Sequence, residues 1–361
     1  MKKPHSLSTA FTLSNVVHFE HNSRLAARPS RARFNRASGF TLIELMVALV
    51  LGLLITAAAI QLFLGGILTS KMQQANAELQ NSGVFGLDYV ARDLRLANYT
   101  NTVFPSLNER TPWGGLVLTA KTATVTDANI PIPASAPFIS TGLLSHSVGT
   151  GETVSTTLNE WQGLSNVNVA SDQLTIQFVA PNAMVNCEGD NVQAGDYVIQ
   201  RYFVRRASGT TGTDYGLACD ANTPTATGTT PVATPTTISG FGGAGELIMP
   251  RVDHFAVQLG TRLVTTVSRV ETVQLAYYTI NQYRAVAAAA RTAGTEPPRI
   301  VSVKTAVLVR STDDTRSNDI DLTGSINILN QSVTLTNTTN KYARRVYSTT
   351  ATFRNGLGEG S

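Results

Sequence analysis

The pattern of apolar and polar positions changes character twice along the chain. From Phe40 to Gly66 there are 27 residues whose only charge is Glu44. As a helix this run is about 40 Å long, more than a bilayer core of roughly 30 Å, so it is predicted to span a membrane over about 40–66. After Gly66 the apolar residues thin out to spacings of three and four. Leu87, Val90, Ala91, Leu94 and Ala97 fall on one face, with Asp88, Arg92, Asp93 and Arg95 elsewhere on the surface. One long helix over 40–98 is predicted, about 87 Å by rise per residue when counted from 41. Leu87, Val90, Ala91 and Leu94 would pack on a domain, and the charged residues would form a solvated face. Asn81-Ser82-Gly83 is expected to weaken or bend it.

Beyond Asn98 the period becomes two and Thr, Val, Ser and Gly dominate. The stretches 172–180, 196–204, 253–260, 303–311, 332–337 and 345–353 read as strands. A helix followed by many strands predicts an α+β fold, with the helix on one face of a mainly antiparallel sheet and a globular domain over 99–361. Residues 223–237, TPTATGTTPVATPTT, read as a low-complexity loop, and 283–298 as a short Ala-rich helix ended by Pro-Pro.

Charge sets a direction for this layout. Residues 1–39 carry seven basic groups against Glu20, a net of +6, which leaves −2 for 40–361 out of the total of +4. Five arginines lie in the 20 residues before Phe40, while Lys71 is the only basic residue in the 20 after Gly66. The positive-inside rule therefore keeps the N-terminus in the cytoplasm and sends the chain beyond about residue 67 across the membrane. Without residues 1–39 the product is mildly acidic, which removes most of the argument for nucleic acid that a pI near 9.1 suggests.

The apolar run admits three readings. A secretory signal has a core of 7–15 residues and a small-residue cleavage site; Ala57-Ala58-Ala59 imitates such a site, but the core is too long. An uncleaved anchor fits the length and leaves Glu44 unexplained, since a carboxylate deep in a bilayer costs about 2.5–3.5 kcal/mol. Cleavage between Gly39 and Phe40 gives the acid a purpose. It creates an amine at Phe40, four residues from Glu44, which can pair with that carboxylate in the same helix or in an axially offset neighbour. Such a pair would favour one register of assembly, because an unpaired buried charge is costly.

Gly39-Phe40-Thr41-Leu42-Ile43-Glu44-Leu45 resembles the type III signal of type IV pilins and type II secretion pseudopilins. The resemblance implies a basic leader, 1–39, removed after Gly39 by a prepilin peptidase that also methylates Phe40, and a Glu44 that guides subunit entry into the fibre. A leader of 39 residues is longer than that family usually carries. Three further stretches, 79–99 (LQNSGVFGLDYVARDLRLANY), 299–311 (RIVSVKTAVLVRS) and 343–358 (ARRVYSTTATFRNGLG), resemble PilW-type minor pilins. That resemblance implies a pilin-like fold in the inner membrane, with the C-terminal domain in the periplasm and then the pilus. Other minor pilins, the major pilin, the prepilin peptidase and the inner-membrane assembly platform would be its partners. It implies a structural subunit that initiates or caps a pilus, needs no cofactor or metal and is not an enzyme. A minor pseudopilin of type II secretion is the first alternative, and a membrane-anchored enzyme or binding protein the second.

Other chemistry is thinly represented. Cys187 and Cys219 have no metal-ligand spacing; outside the cytoplasm they are expected to form a disulfide, worth roughly 3–4 kcal/mol by chain entropy. GFGGAG at 240–245 follows a Thr/Pro linker and reads as a turn into a strand, not a dinucleotide loop. DIDLTG at 319–324 opens like a calcium loop, but the twelfth position is Asn330 where a Glu is wanted. His146 and His254 have no readable partner and are expected at the surface or the core edge. Trp113 and Trp161 read as core or edge aromatics, and the pairs Arg205-Arg206 and Arg344-Arg345 as solvated strand ends, which argues against a nucleic-acid surface.

Overall fold

In a computed structural model of the chain, the described residues are 39–99, 101, 106–122, 125–132, 139–147, 163–207, 212–267 and 270–353. The leader up to Ser38, Trp161 and residues 354–358 of the C-terminal landmark lie outside them. The chain divides into two units, Met1–Ala59 and Ile60–Ser361. Helix α1, Leu42–Leu96, begins in the first and ends in the second.

All described residues of the first unit are exposed, although most are apolar. The apolar stretch of α1 is long and greasy enough to cross a membrane, and none of it is buried within the protein. A soluble helix would hide such a face, so this one takes its apolar surroundings from elsewhere.

The second unit is built on two four-stranded antiparallel sheets. In the first the order is β1-β4-β5-β6, with β1 Leu174–Val179, β4 Tyr197–Arg206, β5 Tyr215–Ala221 and β6 Glu246–Pro250. In the second it is β12-β9-β7-β8, with β7 Val252–Val267, β8 Val270–Tyr278, β9 Arg299–Asp314 and β12 Tyr342–Thr352. Two small hairpins complete the described strands: β2 (Met184–Val185) with β3 (Asn191–Val192), and β10 (Ile326–Ile328) with β11 (Gln331–Val333). Helix α2, Ile280–Thr292, follows β8; Thr279 caps it by exchanging bonds with Gln282, and Gly294 (φ 69°) turns the chain away after it.

The C-terminal part of α1 is the centre of the core. Ala75, Leu79, Gly83, Gly86, Leu87, Val90, Ala91 and Leu94, at spacings of three and four, are buried. Of these, Ala75, Leu79, Leu87, Val90 and Leu94 join a continuous cluster with Tyr202 and Leu217 of the first sheet and with Phe255, Val257 and Val307 of the second. The helix is unbroken through Asn81-Ser82-Gly83. Gly83 is a place of close approach: a methyl group there would fall inside the Tyr347 ring of β12. Gly86 meets Met249 of β6 in the same way.

The strands differ from expectation in two respects. β5, β6 and β8 carry turn-like or polar residues that hid their period, and of the strand expected over 332–337 only the part up to Val333 lies in β11, while Leu335 makes an isolated antiparallel bridge to Val167. Residues 223–237 contain no helix or strand, and GFGGAG leads into β6.

Candidate functional site

Two places carry the chemistry of this chain, the head of α1 and the contact between α1 and the first sheet. At the head, Gly39 and Phe40 precede the helix, and Phe40 is 86% exposed. No atom beyond its chain neighbours comes within 4 Å of where a Cβ on Gly39 would lie, so this backbone is open to approach. Thr41 and Glu44 close on each other as a capping box. The Glu44 carboxylate accepts from Thr41 N–H (3.1 Å) and Thr41 Oγ1 (3.0 Å), and the Glu44 N–H donates to Thr41 Oγ1 (3.2 Å). Two of the N-terminal N–H groups of this apolar helix are thereby satisfied within the helix itself. The signal for this box, Thr-x-x-Glu ahead of an apolar run, stands in the sequence at 41–44.

The second place shows a correction. Asp93, assigned to the solvated face from its spacing, is 1% exposed. Its Oδ2 accepts from Tyr202 Oη on β4 at 2.7 Å. The Gln200 amide, oriented with its nitrogen toward Asp93, donates to the same oxygen (2.9 Å) and to Tyr202 Oη (3.1 Å), while its oxygen accepts from Cys187 N–H (3.0 Å). Burial pushes the Asp93 carboxyl above the usual range, opposed by the bond from Tyr202 and by Arg92 beside it. The network ties helix, sheet and the β2–β3 hairpin together. The same hairpin is joined to β5 by a disulfide between Cys187 and Cys219, whose Cα atoms are 5.9 Å apart.

Other polar residues organise the domain. Asp253, fully buried on β7, accepts from Arg344 Nε (2.8 Å) and Asn166 Nδ2 (2.7 Å) and lies 3.0 Å from Arg310 Nε. Arg344 is therefore held in an ion pair, not a solvated strand end. Arg201, also fully buried, pairs with Asp220 at 3.1 Å. The Asp220 carboxylate in turn accepts the N–H groups of Gly242 and Gly243, which pins the glycine-rich turn to the sheet. His146 and His254 are buried, at 3% and 1% exposed, deeper than expected. Burial lowers both to about 4, so they are neutral at physiological pH. Asp321 caps its own turn by accepting from Thr323 and Gly324. Among the described residues, no three His, Cys, Asp or Glu side chains are grouped as metal ligands.

Comparison with known proteins follows the same division. Residues 34–60 match the profile of the prokaryotic N-terminal methylation motif, which places the chain among proteins with a prepilin-type head. Residues 201–355, covering most of both sheets, match the profile of the type IV pilus-assembly protein W. Together the two profiles support a type IV pilin of the PilW type, a minor pilin. A solved structure of a type IV-like pilin from Thermus thermophilus aligns with 52% of this chain and 80% of its own length, at 12% identity and a TM-score of 0.26. No curated protein matches.

Proposed function

We propose that this minor pilin helps to initiate or cap assembly of a type IV pilus. A prepilin peptidase would cut after Gly39 and methylate Phe40, and Glu44 would then guide the subunit into the fibre. The observation that carries this reading is the pairing of a methylation motif over 34–60 with a PilW profile over 201–355 in one chain. The geometry at the head supports it. In the uncut chain Glu44 is held by Thr41, one residue from the site where cleavage would create an amine. The new positive charge would arise within reach of a carboxylate already fixed in place.

We place the precursor in the inner membrane, spanning once through about 40–66, with the strand-rich unit in the periplasm. Five arginines just before Phe40 against Lys71 alone after Gly66 support that orientation, and a disulfide suits an oxidising compartment. Its partners would be the major pilin, other minor pilins, the prepilin peptidase and the assembly platform. It acts as a structural subunit and not as an enzyme. Deleting the gene should abolish piliation and twitching and leave exoprotein secretion intact. Normal pili with lost secretion would assign the chain to type II secretion instead.

A further inference from the structure

The β7–β8 hairpin carries a strip of apolar side chains that face water. β8 ends the order β12-β9-β7-β8, so its outer edge has no strand partner among the described residues. Its pairing with β7 runs from Leu259 opposite Tyr278 out to Val267 opposite Val270. On one face, Val264 lies opposite Val273, Leu275 opposite Arg262, and Tyr277 opposite Gly260. Leu275 is 74% exposed, Tyr277 52%, Val273 48% and Val264 39%. Strands with long free edges and apolar outward residues are normally blunted by charge, proline or cover. On β8 only Glu271 does so.

The charge beside this strip is equally unbalanced. Arg262 stands opposite Arg299 of β9, and like charges directly opposed destabilise a sheet. Arg299 donates to Ser106 Oγ, whereas Arg262 makes no ion pair among the described residues. Lys304 Nζ lies 5.9 Å from the centroid of the Tyr277 ring. The apolar strip is thus flanked on its β9 side by three cations.

We propose that β8 is a docking edge for an extended segment of a different pilin-type subunit. That segment would add as a strand beside β8, with apolar side chains at alternate positions over Val273, Leu275 and Tyr277 and a carboxylate within reach of Arg262. Charge decides between this partner and a second copy. A two-fold pairing of β8 with itself, centred near Gln274, brings together two edges that each carry three cations against one acid, Glu271. A partner strand bearing an acid relieves the same repulsion. The inference rests on the reading of the chain as a fibre subunit.

The test places the photo-crosslinker p-benzoylphenylalanine at Leu275 in the full-length protein, in its own membrane and with its co-resident prepilin-type subunits. A control places it at Val232, exposed elsewhere on the unit at 44%. Adducts from position 275 should join the globular part of another prepilin-type chain, at least five-fold above the control. Arg262→Glu, or Val273→Arg, should remove them while the disulfide and membrane abundance stay unchanged. Yields at 275 no higher than at 232, or adducts only with lipid or with a second copy of this chain, would overturn the proposal. Mass analysis of the N-terminus in the same sample separates the two levels. An unprocessed head defeats the fibre reading, whereas a processed head without adducts defeats the docking edge alone.

Discussion

Thr41 and Glu44 satisfy each other in the uncut chain, so the carboxylate at the head of α1 has two separable roles, as a helix cap and as a charge. Substitution can part them. Glu44→Gln retains an oxygen that can accept from Thr41 and loses only the charge, whereas Glu44→Ala loses both. Both variants should still be cleaved, and both should enter the pilus at least about ten-fold less than wild type, since an unmet charge in apolar surroundings costs more than 1.4 kcal/mol. Immunoblots of sheared pili measure this, and wild-type incorporation of Glu44→Gln would leave the cap as the only role. Residues buried in the domain answer to pH. His146 keeps Nδ1 2.8 Å from the Leu144 carbonyl, and burial holds it at about 4, below the roughly 6.5 of an unfolded chain. Between those values the unfolded state binds more protons, so stability should be full above pH 6.5 and fall as pH drops toward 4. A flatter profile for His146→Gln in thermal melts over that range is the expected result. Glu44 and its four-residue distance from Phe40 were legible in the sequence. The burial of Asp93 was not, because its partners Tyr202 and Gln200 lie more than a hundred positions away on a strand.

At the scale of elements, helix α1 shows what periodicity can and cannot resolve. Its long apolar stretch and its buried face followed from apolar spacing alone. Gly83 read as a weak point because glycine lowers helix propensity, whereas the helix uses the missing side chain to admit the Tyr347 ring. Gly83→Ala tests this reading by its sign. On propensity the change would gain about 1 kcal/mol, but the clash should turn it into a loss of about 1–3 kcal/mol. Melts in detergent should show a fall of several degrees. The strands divide the same way. β4, β7, β9 and β12 announce themselves through alternating β-branched residues, while β5 (YGLACDA) and β6 (ELIMP) depend on tertiary pairing that overrides weak local preference.

The whole molecule combines a helix head whose apolar residues are all exposed with a strand-rich unit whose core takes in the same helix between Ala75 and Leu94. The division of labour is visible in the sequence as well: the head matches the methylation motif, and the later strands match the PilW family. Which surfaces meet other subunits was not legible there, because exposure and strand order at β8 emerge only from the fold. The central claim is that the chain works only after its leader is cut and its helix gains a new N-terminus. Mass spectrometry of the N-terminal peptide of the protein purified from membranes or pili tests that claim most directly. The account predicts a peptide beginning at N-methylated Phe40; an intact Met1, or a start near Gln61 as a secretory signal would leave, would contradict it.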